Sequence, residues 1–191
     1  MKKINKKILI VCSIMFLIFI AILGLFCSGN SIFSDMFENQ PESQSKILEV
    51  QYKITKKDSV LKNLCSSLQM VGNENESNEY FEKFVFYSEM YLKGNGNFDR
   101  NLYGQYLIAL SKLSEHEKLE VESKNFLDKC VSEKDFQILY FSLSIIKEQG
   151  AQQDKDYVKN FAKEILDGSY LSANSEEEYN ELKNKYINLA E

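Results

Sequence analysis

LEVQYKIT, residues 48–55, decides the fold class. Apolar Leu48, Val50, Tyr52 and Ile54 alternate with polar neighbours, the period of a half-buried strand. Helical spacing is also present, in Ile47, Leu48, Gln51, Tyr52 and Thr55. A lone strand leaves its backbone donors and acceptors unpaired, and no later segment offers a partner strand. The stretch is therefore read as helix, and the chain as all-α.

Downstream the helical period is consistent. Asp58 or Ser59 can cap a helix with the stripe Val60, Leu61, Leu64, Cys65, Leu68 and Val71, stopped by Gly72. An aromatic helix follows, with Tyr80, Phe81, Phe84, Tyr87, Met90 and Tyr91, and Gly94 past its end. After a turn over residues 94–97, Asp99 caps Leu102, Tyr103, Tyr106, Leu107, Leu110 and Leu113. Ser114 and Glu117 have capping-box spacing and open a highly charged helix carrying Leu119, Phe126, Leu127 and Cys130, expected on the outside. Ser132 is expected to open the next, with Phe136, Leu139, Tyr140, Leu143 and Ile146. Ile138, Phe141 and Ile145 make that helix apolar over most of its circumference, which places it in the middle. Two more helices carry Tyr157, Val158, Phe161, Ile165 and Leu166, and then, after a box at Ser175–Glu178, Tyr179, Leu182, Tyr186 and Leu189.

Seven helices thus follow one another at short intervals. Alternate helices recur every 34 to 41 residues or so, which resembles the period of stacked helical hairpins such as tetratricopeptide-like arrays. The Trp, Gly, Ala and Pro positions of that repeat are not found, and an antiparallel bundle gives the same period. The expectation is an antiparallel bundle or an irregular hairpin array.

Upstream lies ILIVCSIMFLIFIAILGLFC, residues 8–27, with no charge. About twenty residues at about 1.5 Å each match the roughly 30 Å hydrocarbon core of a bilayer. Its strongly apolar members are Ile8, Leu9, Ile10, Val11, Ile14, Phe16, Leu17, Ile18, Phe19, Ile20, Ile22, Leu23, Leu25 and Phe26. They predict a transmembrane anchor. Lys2, Lys3, Lys6 and Lys7 precede it and the first charges after it are acidic, so the N-terminus is expected in the cytoplasm and the bulk of the chain outside. The domains are then a basic tail at 1–7, the anchor at 8–27, a juxtamembrane linker at 28–45 around Pro41, and a helical domain at 46–191. Within the linker, Phe33, Met36 and Phe37 are spaced to lie on one side of a short helix. A secretory signal cut after Gly29 is the rival reading, opposed by an apolar core longer than such signals carry. Lipidation at Cys27 would need a small residue where Phe26 stands.

The sequence holds 23 basic and 28 acidic residues, with Arg100 its only arginine. Four of the lysines precede the anchor, so the remainder is strongly acidic. An acidic surface repels nucleic acid, and one arginine cannot supply bidentate phosphate or base contacts, so no nucleic-acid partner is expected. Rich Lys, Asn and Ile with little Arg and Pro suggest an AT-rich bacterial source. Outside the cytoplasm an even pair of cysteines, Cys65 and Cys130, could form a disulfide. Both also sit on apolar helical stripes, where buried thiols belong.

No catalytic or metal site is legible, and no cofactor is indicated. His116 is the only histidine, so a triad has a single candidate base, placed among glutamates in a first helical turn. Adjacent carboxylates such as those of Glu176, Glu177 and Glu178 complement a helix N-terminus. The aromatic density is the one feature beyond scaffold: Tyr80, Tyr87, Tyr91, Tyr103 and Tyr106 could line a groove for a partner helix or peptide. The expected function is a membrane-anchored, non-enzymatic interaction module with a protein partner in the cell envelope, serving envelope assembly, secretion or transfer, or immunity. A protein released by cleavage, or a tethered enzyme using carboxylates, are the alternatives.

Overall fold

A computed structural model of the chain describes residues 6–29, 32–37, 39–94 and 98–191, without the side chains of residues 6–13, 32 and 33. Lys2 and Lys3, the turn at 95–97 and the side chains of Lys6, Lys7, Ile8, Leu9, Ile10, Val11 and Phe33 therefore lie outside the described residues. All regular structure that is described is helical, with no strand. The chain divides into two units, Met1–Ser67 and Leu68–Glu191.

The first unit holds α1 (Lys6–Cys27), α2 (Ile32–Asp35), α3 (Pro41–Thr55) and the first turns of α4 (Asp58–Asn75). On α1 the large apolar side chains from Ile14 to Leu25 are exposed, Met15, Phe16 and Leu17 by more than 60%. Among the described residues no helix is long and apolar enough to cross a membrane. α1 is followed by Gly29 at φ +72, a left-handed conformation that costs glycine little. Orphan carbonyls at this end are taken by side chains from further along the chain. Gln51 Nε2 donates to the Phe26 carbonyl at 3.0 Å, and the Lys57 ammonium donates to that of Ser28. A cation there also meets the negative end of the helix dipole.

Residues 28–45, read as a juxtamembrane linker with room for a short helix, contain α2 and the first turn of α3, which pack on each other. Gln44 Nε2 donates to the Ser34 carbonyl at 3.2 Å and Ser67 Oγ to that of Pro41 at 2.9 Å. Pro41 opens α3, where its missing N–H would have had no helical partner anyway. Residues 48–55 are helical, as the missing partner strand required. Leu48, Gln51 and Tyr52 face inward, while Val50 and Ile54 stay 51% and 55% exposed. The alternation therefore comes from a helix with apolar residues on two faces.

The second unit continues α4 and adds α5 (Asn78–Lys93), α6 (Arg100–Lys112), α7 (His116–Glu133), α8 (Gln137–Gln149), α9 (Gln152–Asp167) and α10 (Glu176–Ala190). α6 packs on α5, α7 and α8, and α8 on α6, α7, α9 and α10. Each helix buries the stripe its period defines, as with Phe81 and Phe84 of α5 or Val158, Phe161 and Ile165 of α9. At roughly 1.5–3 kcal/mol for each large apolar side chain, this burial is the main term opposing chain entropy.

Four local expectations are corrected. Gly72 does not stop α4, which runs to Asn75; a Cβ there would lie 3.0 Å from the Phe81 ring, so the glycine admits that ring. Ser114 is no cap, because its backbone sits at φ +58 and α7 starts from Glu115 without a side-chain cap. Ser132 does not open α8; it lies in the last turn of α7, donating to the Lys129 carbonyl at 2.8 Å. The most enclosed helix is α6 rather than α8, whose Phe141 is 54% exposed. Asp99 and Ser175 do cap, accepting from the Leu102 and Glu178 amides at 3.0 and 3.1 Å.

α6 and α8 meet most closely at Gly104. A Cβ added there would stand 2.5 Å from Ser142 Oγ and 2.7 Å from Ile138 Cγ2. Gly104→Ala is predicted to lower the melting temperature, since overpacking costs about 1–3 kcal/mol against roughly 1 kcal/mol of helix propensity gained. Adding Ser142→Ala should recover part of the loss, and calorimetry of the two variants checks both expectations.

Candidate functional site

Tyr103 and Tyr106 belong to α6 and point toward α5 and α7, where they line a cleft of about 260 Å³ with Glu89, Leu92, Lys93, Phe98, Glu122, Asn125 and Lys129. Phe98, just before α6, lies against Tyr103 and Phe126, with ring centroids 5.8 and 5.7 Å away. Tyr103 stacks on Phe126 at 4.8 Å and meets Tyr106 edge-on at 5.9 Å. Such offset and edge-on pairs add about 0.5–1.5 kcal/mol beyond area burial, so this wall is rigid.

Two carboxylates sit against the aromatic wall. Tyr103 Oη donates to Glu122 Oε2 at 2.5 Å, and Asn125 Nδ2 donates to the same oxygen at 3.2 Å. Tyr106 Oη donates to Glu89 Oε1 at 3.1 Å. Glu89 also pairs with Lys118, and with Lys93 at 3.5 Å. Burial alone would push the Glu89 carboxyl up. The Lys118 hydrogen bond and charge, the Tyr106 hydrogen bond and the Lys93 charge together hold it below the ordinary carboxylate range. Burial raises the Tyr103 and Tyr106 phenols far above their usual value of 10, and the neighbouring carboxylates add to it. Each phenol thus keeps its proton and donates it to a carboxylate, Tyr103 to Glu122 and Tyr106 to Glu89.

The groove drawn from five tyrosines contracts to these two. Tyr87 is buried with its ring edge-on to Phe86 at 5.1 Å. Tyr80 is half-buried under the Lys83 ammonium, and Tyr91 is half-buried and does not line the cleft. The sole arginine is engaged elsewhere: Arg100 Nε donates to Glu133 at 2.6 Å and Nη1 to Asp135 at 2.7 Å. Cys130 is a buried free thiol rather than half of a bridge to Cys65, and burial pushes it up to about 12. Cys65 is likewise buried on its stripe. A thiol of that kind is inert, so neither nucleophilic nor redox chemistry is expected of Cys130.

Sequence reading missed a second polar cluster. Asp154, 1% exposed in the first turn of α9, accepts from Ser111 Oγ at 2.6 Å, and its other oxygen is hydrogen-bonded with His116 Nδ1 at 2.5 Å. The three residue types match a hydrolytic triad, but the order does not. Asp154 stands between the other two, and the serine lacks the adjacent base that would activate it. The cluster instead pins the end of α6 and the starts of α7 and α9 together. Only the capping-range position of Asp154 hinted at it, since partners 43 and 38 residues away leave no local signal.

Compared with protein-family models, curated proteins and solved structures, the chain matches none.

Removing the Asp154 carboxylate leaves two polar groups without their acceptor, at about 1–3 kcal/mol each where they are buried. Asp154→Ala is therefore predicted to lower the denaturant midpoint markedly and Asp154→Asn to do so less, both measured by urea titration. The depressed Glu89 carboxyl contributes stability that is present above its ordinary value near 4.5 and is lost as pH falls through its lower folded value. Glu89→Gln should flatten that acid limb, which a stability profile between neutral and acid pH reads directly.

Proposed function

We propose that this protein is a single-pass membrane-anchored helical module that presents a protein-binding cleft outside the cytoplasm. The reading is carried by the apolar run of residues 8–27, whose described side chains from Ile14 to Leu25 have no protein covering them. In water that surface would be strongly disfavoured, at roughly 25 cal/mol per Å². Lys2, Lys3, Lys6 and Lys7 set the anchor's orientation, with the N-terminus cytoplasmic.

Helices two apart in the chain pack on each other, α6 on α8 and α8 on α10, with α7 on α9 beside them. This supports an irregular hairpin array, an architecture that offers surfaces rather than enclosed pockets. The cleft on α5, α6 and α7 suits one or two partner side chains: about 260 Å³ falls below the usual range for small-molecule sites. Its rigid aromatic wall and flanking lysines are the features of an anchor-residue pocket. The proposed partner is an envelope protein on the same side of the membrane as the module.

Two measurements test the proposal. Membranes from expressing cells washed with alkaline carbonate should retain the full chain, and an external protease should reach a C-terminal tag; release by carbonate overturns the anchor. A photo-crosslinking residue at Lys93 or Lys129 should give a discrete envelope-protein adduct in intact cells. That adduct should weaken about tenfold or more in Phe98→Ala, as expected for a lost aromatic anchor. Adducts that are diffuse, or unchanged in Phe98→Ala, would remove the cleft from the binding surface.

A further inference from the structure

The exposed face of α3 has a composition of its own. Lys46, Val50, Lys53 and Ile54 follow one another at intervals of four, three and one residues, which aligns them along one side of the helix; Lys57 lies past its end, after Lys56 in the left-handed conformation. The apolar pair is half exposed, and the lysines beside it have side chains 69% and 62% exposed at positions 46 and 53. α3 is also fixed to the end of α1, because the fully buried Gln51 amide holds the Phe26 carbonyl and Lys57 holds that of Ser28. The apolar helix and this face are therefore joined by direct hydrogen bonds rather than by a slack chain.

Charge separates the two units in the same sense. Residues 28–67 carry five acidic and five basic side chains, whereas residues 68–191 carry 23 acidic and 14 basic. All of the net acidity beyond the anchor lies in the second unit. The part of the chain next to the anchor is neutral and concentrates Lys53, Lys56 and Lys57 within five positions.

We propose that α3 lies in the interface of an anionic bilayer, with Val50 and Ile54 entering the headgroup boundary and Lys46 and Lys53 reaching lipid phosphates. The proposal rests on α1 being the membrane anchor. Lysine stems cover apolar surface while their ammonium groups stay in the polar layer, and each lysine near an anionic surface favours contact by about fivefold. Lys46 and Lys53 keep their helical partners Glu42 and Glu49 at 2.6 and 2.7 Å; an ammonium has three donors, and one bond leaves two for phosphate oxygens. The occupant is a lipid surface rather than a protein because the face ends where α1 ends, at the level at which a spanning helix would leave the hydrocarbon.

The chain contains no tryptophan, so a single introduced one reports its own surroundings. Full-length Ile54→Trp is reconstituted into vesicles of phosphatidylcholine alone or mixed with phosphatidylglycerol. In the mixed vesicles its emission should shift to the blue and be quenched by lipids brominated high on the acyl chain. Both signals should fall in phosphatidylcholine alone, and each of Lys46→Gln and Lys53→Gln should lower the ratio of lipid-inserted to solvent-exposed indole by about fivefold while helicity is unchanged. Carbonate-resistant protein whose indole emission stays solvent-like in both vesicles overturns the interfacial helix and leaves the anchor standing. A blue shift indifferent to lipid charge and to both lysine variants overturns the anionic-lipid assignment. Protein that carbonate removes from the vesicles overturns the anchor and this proposal together.

Discussion

The second unit depends on α6 being enclosed. Its residues from Leu102 to Ser111 are buried apart from Gln105, and it touches α5, α7 and α8. A helix surrounded in this way must be lined by side chains matched in size to each neighbour. Gly104 admits α8, Tyr103 and Tyr106 fill the side toward α5 and α7, and Ser111 closes the far end against Asp154. Interior packing is as dense as an organic crystal, so these fits are coupled: changing the α6–α8 distance would move both tyrosines and the serine.

Two buried polar devices refine that arrangement in different ways. Asp154 ties three helix ends at one point through its contacts with Ser111 and His116. The Glu89 and Glu122 set instead borders a cleft, so its hydrogen bonds hold an aromatic wall in place, the wall itself being largely buried with Tyr106 only 1% exposed. The first device serves the fold alone. Under the proposed function, a wall held by hydrogen bonds would lower the entropy lost when a partner binds. In the first unit Gln51 and Lys57 do comparable work on α1, converting a connection that could have been slack into a fixed one.

Much of the fold was legible because helix period and end signals are local. The stripes over α4 to α10 follow from apolar spacing, and Asp99, Ser175, Gly94, Gly150 and Gly168 mark ends that the backbone respects. The misread signals were also local. Ser114 and Ser132 carry the side chains of caps without the backbone geometry, and Gly72 looks like a stop although it clears space for Phe81. A short-range signal marks what a residue is able to do, and the packing selects among those uses. The aromatic groove shows the same limit: five tyrosines had suitable spacing, yet only the helix contacts determine that Tyr103 and Tyr106 face a cleft while Tyr87 fills core.

The sequence by itself determined the all-helical class, the helix positions, the uncharged apolar run and the separation of charge along the chain. Each of these depends on residues within a few turns of one another. Tertiary structure alone decided which polar groups would be buried together and which apolar residues would remain outside. Ser111, His116 and Asp154 meet across about forty residues of chain, and no periodic pattern records such a meeting. In LEVQYKIT the two contributions are visible side by side. Spacing placed Leu48, Gln51 and Tyr52 on one stripe, while packing against α1 and α2 made that face the buried one and left Val50 and Ile54 exposed, because a helix can bury only the face its neighbours cover.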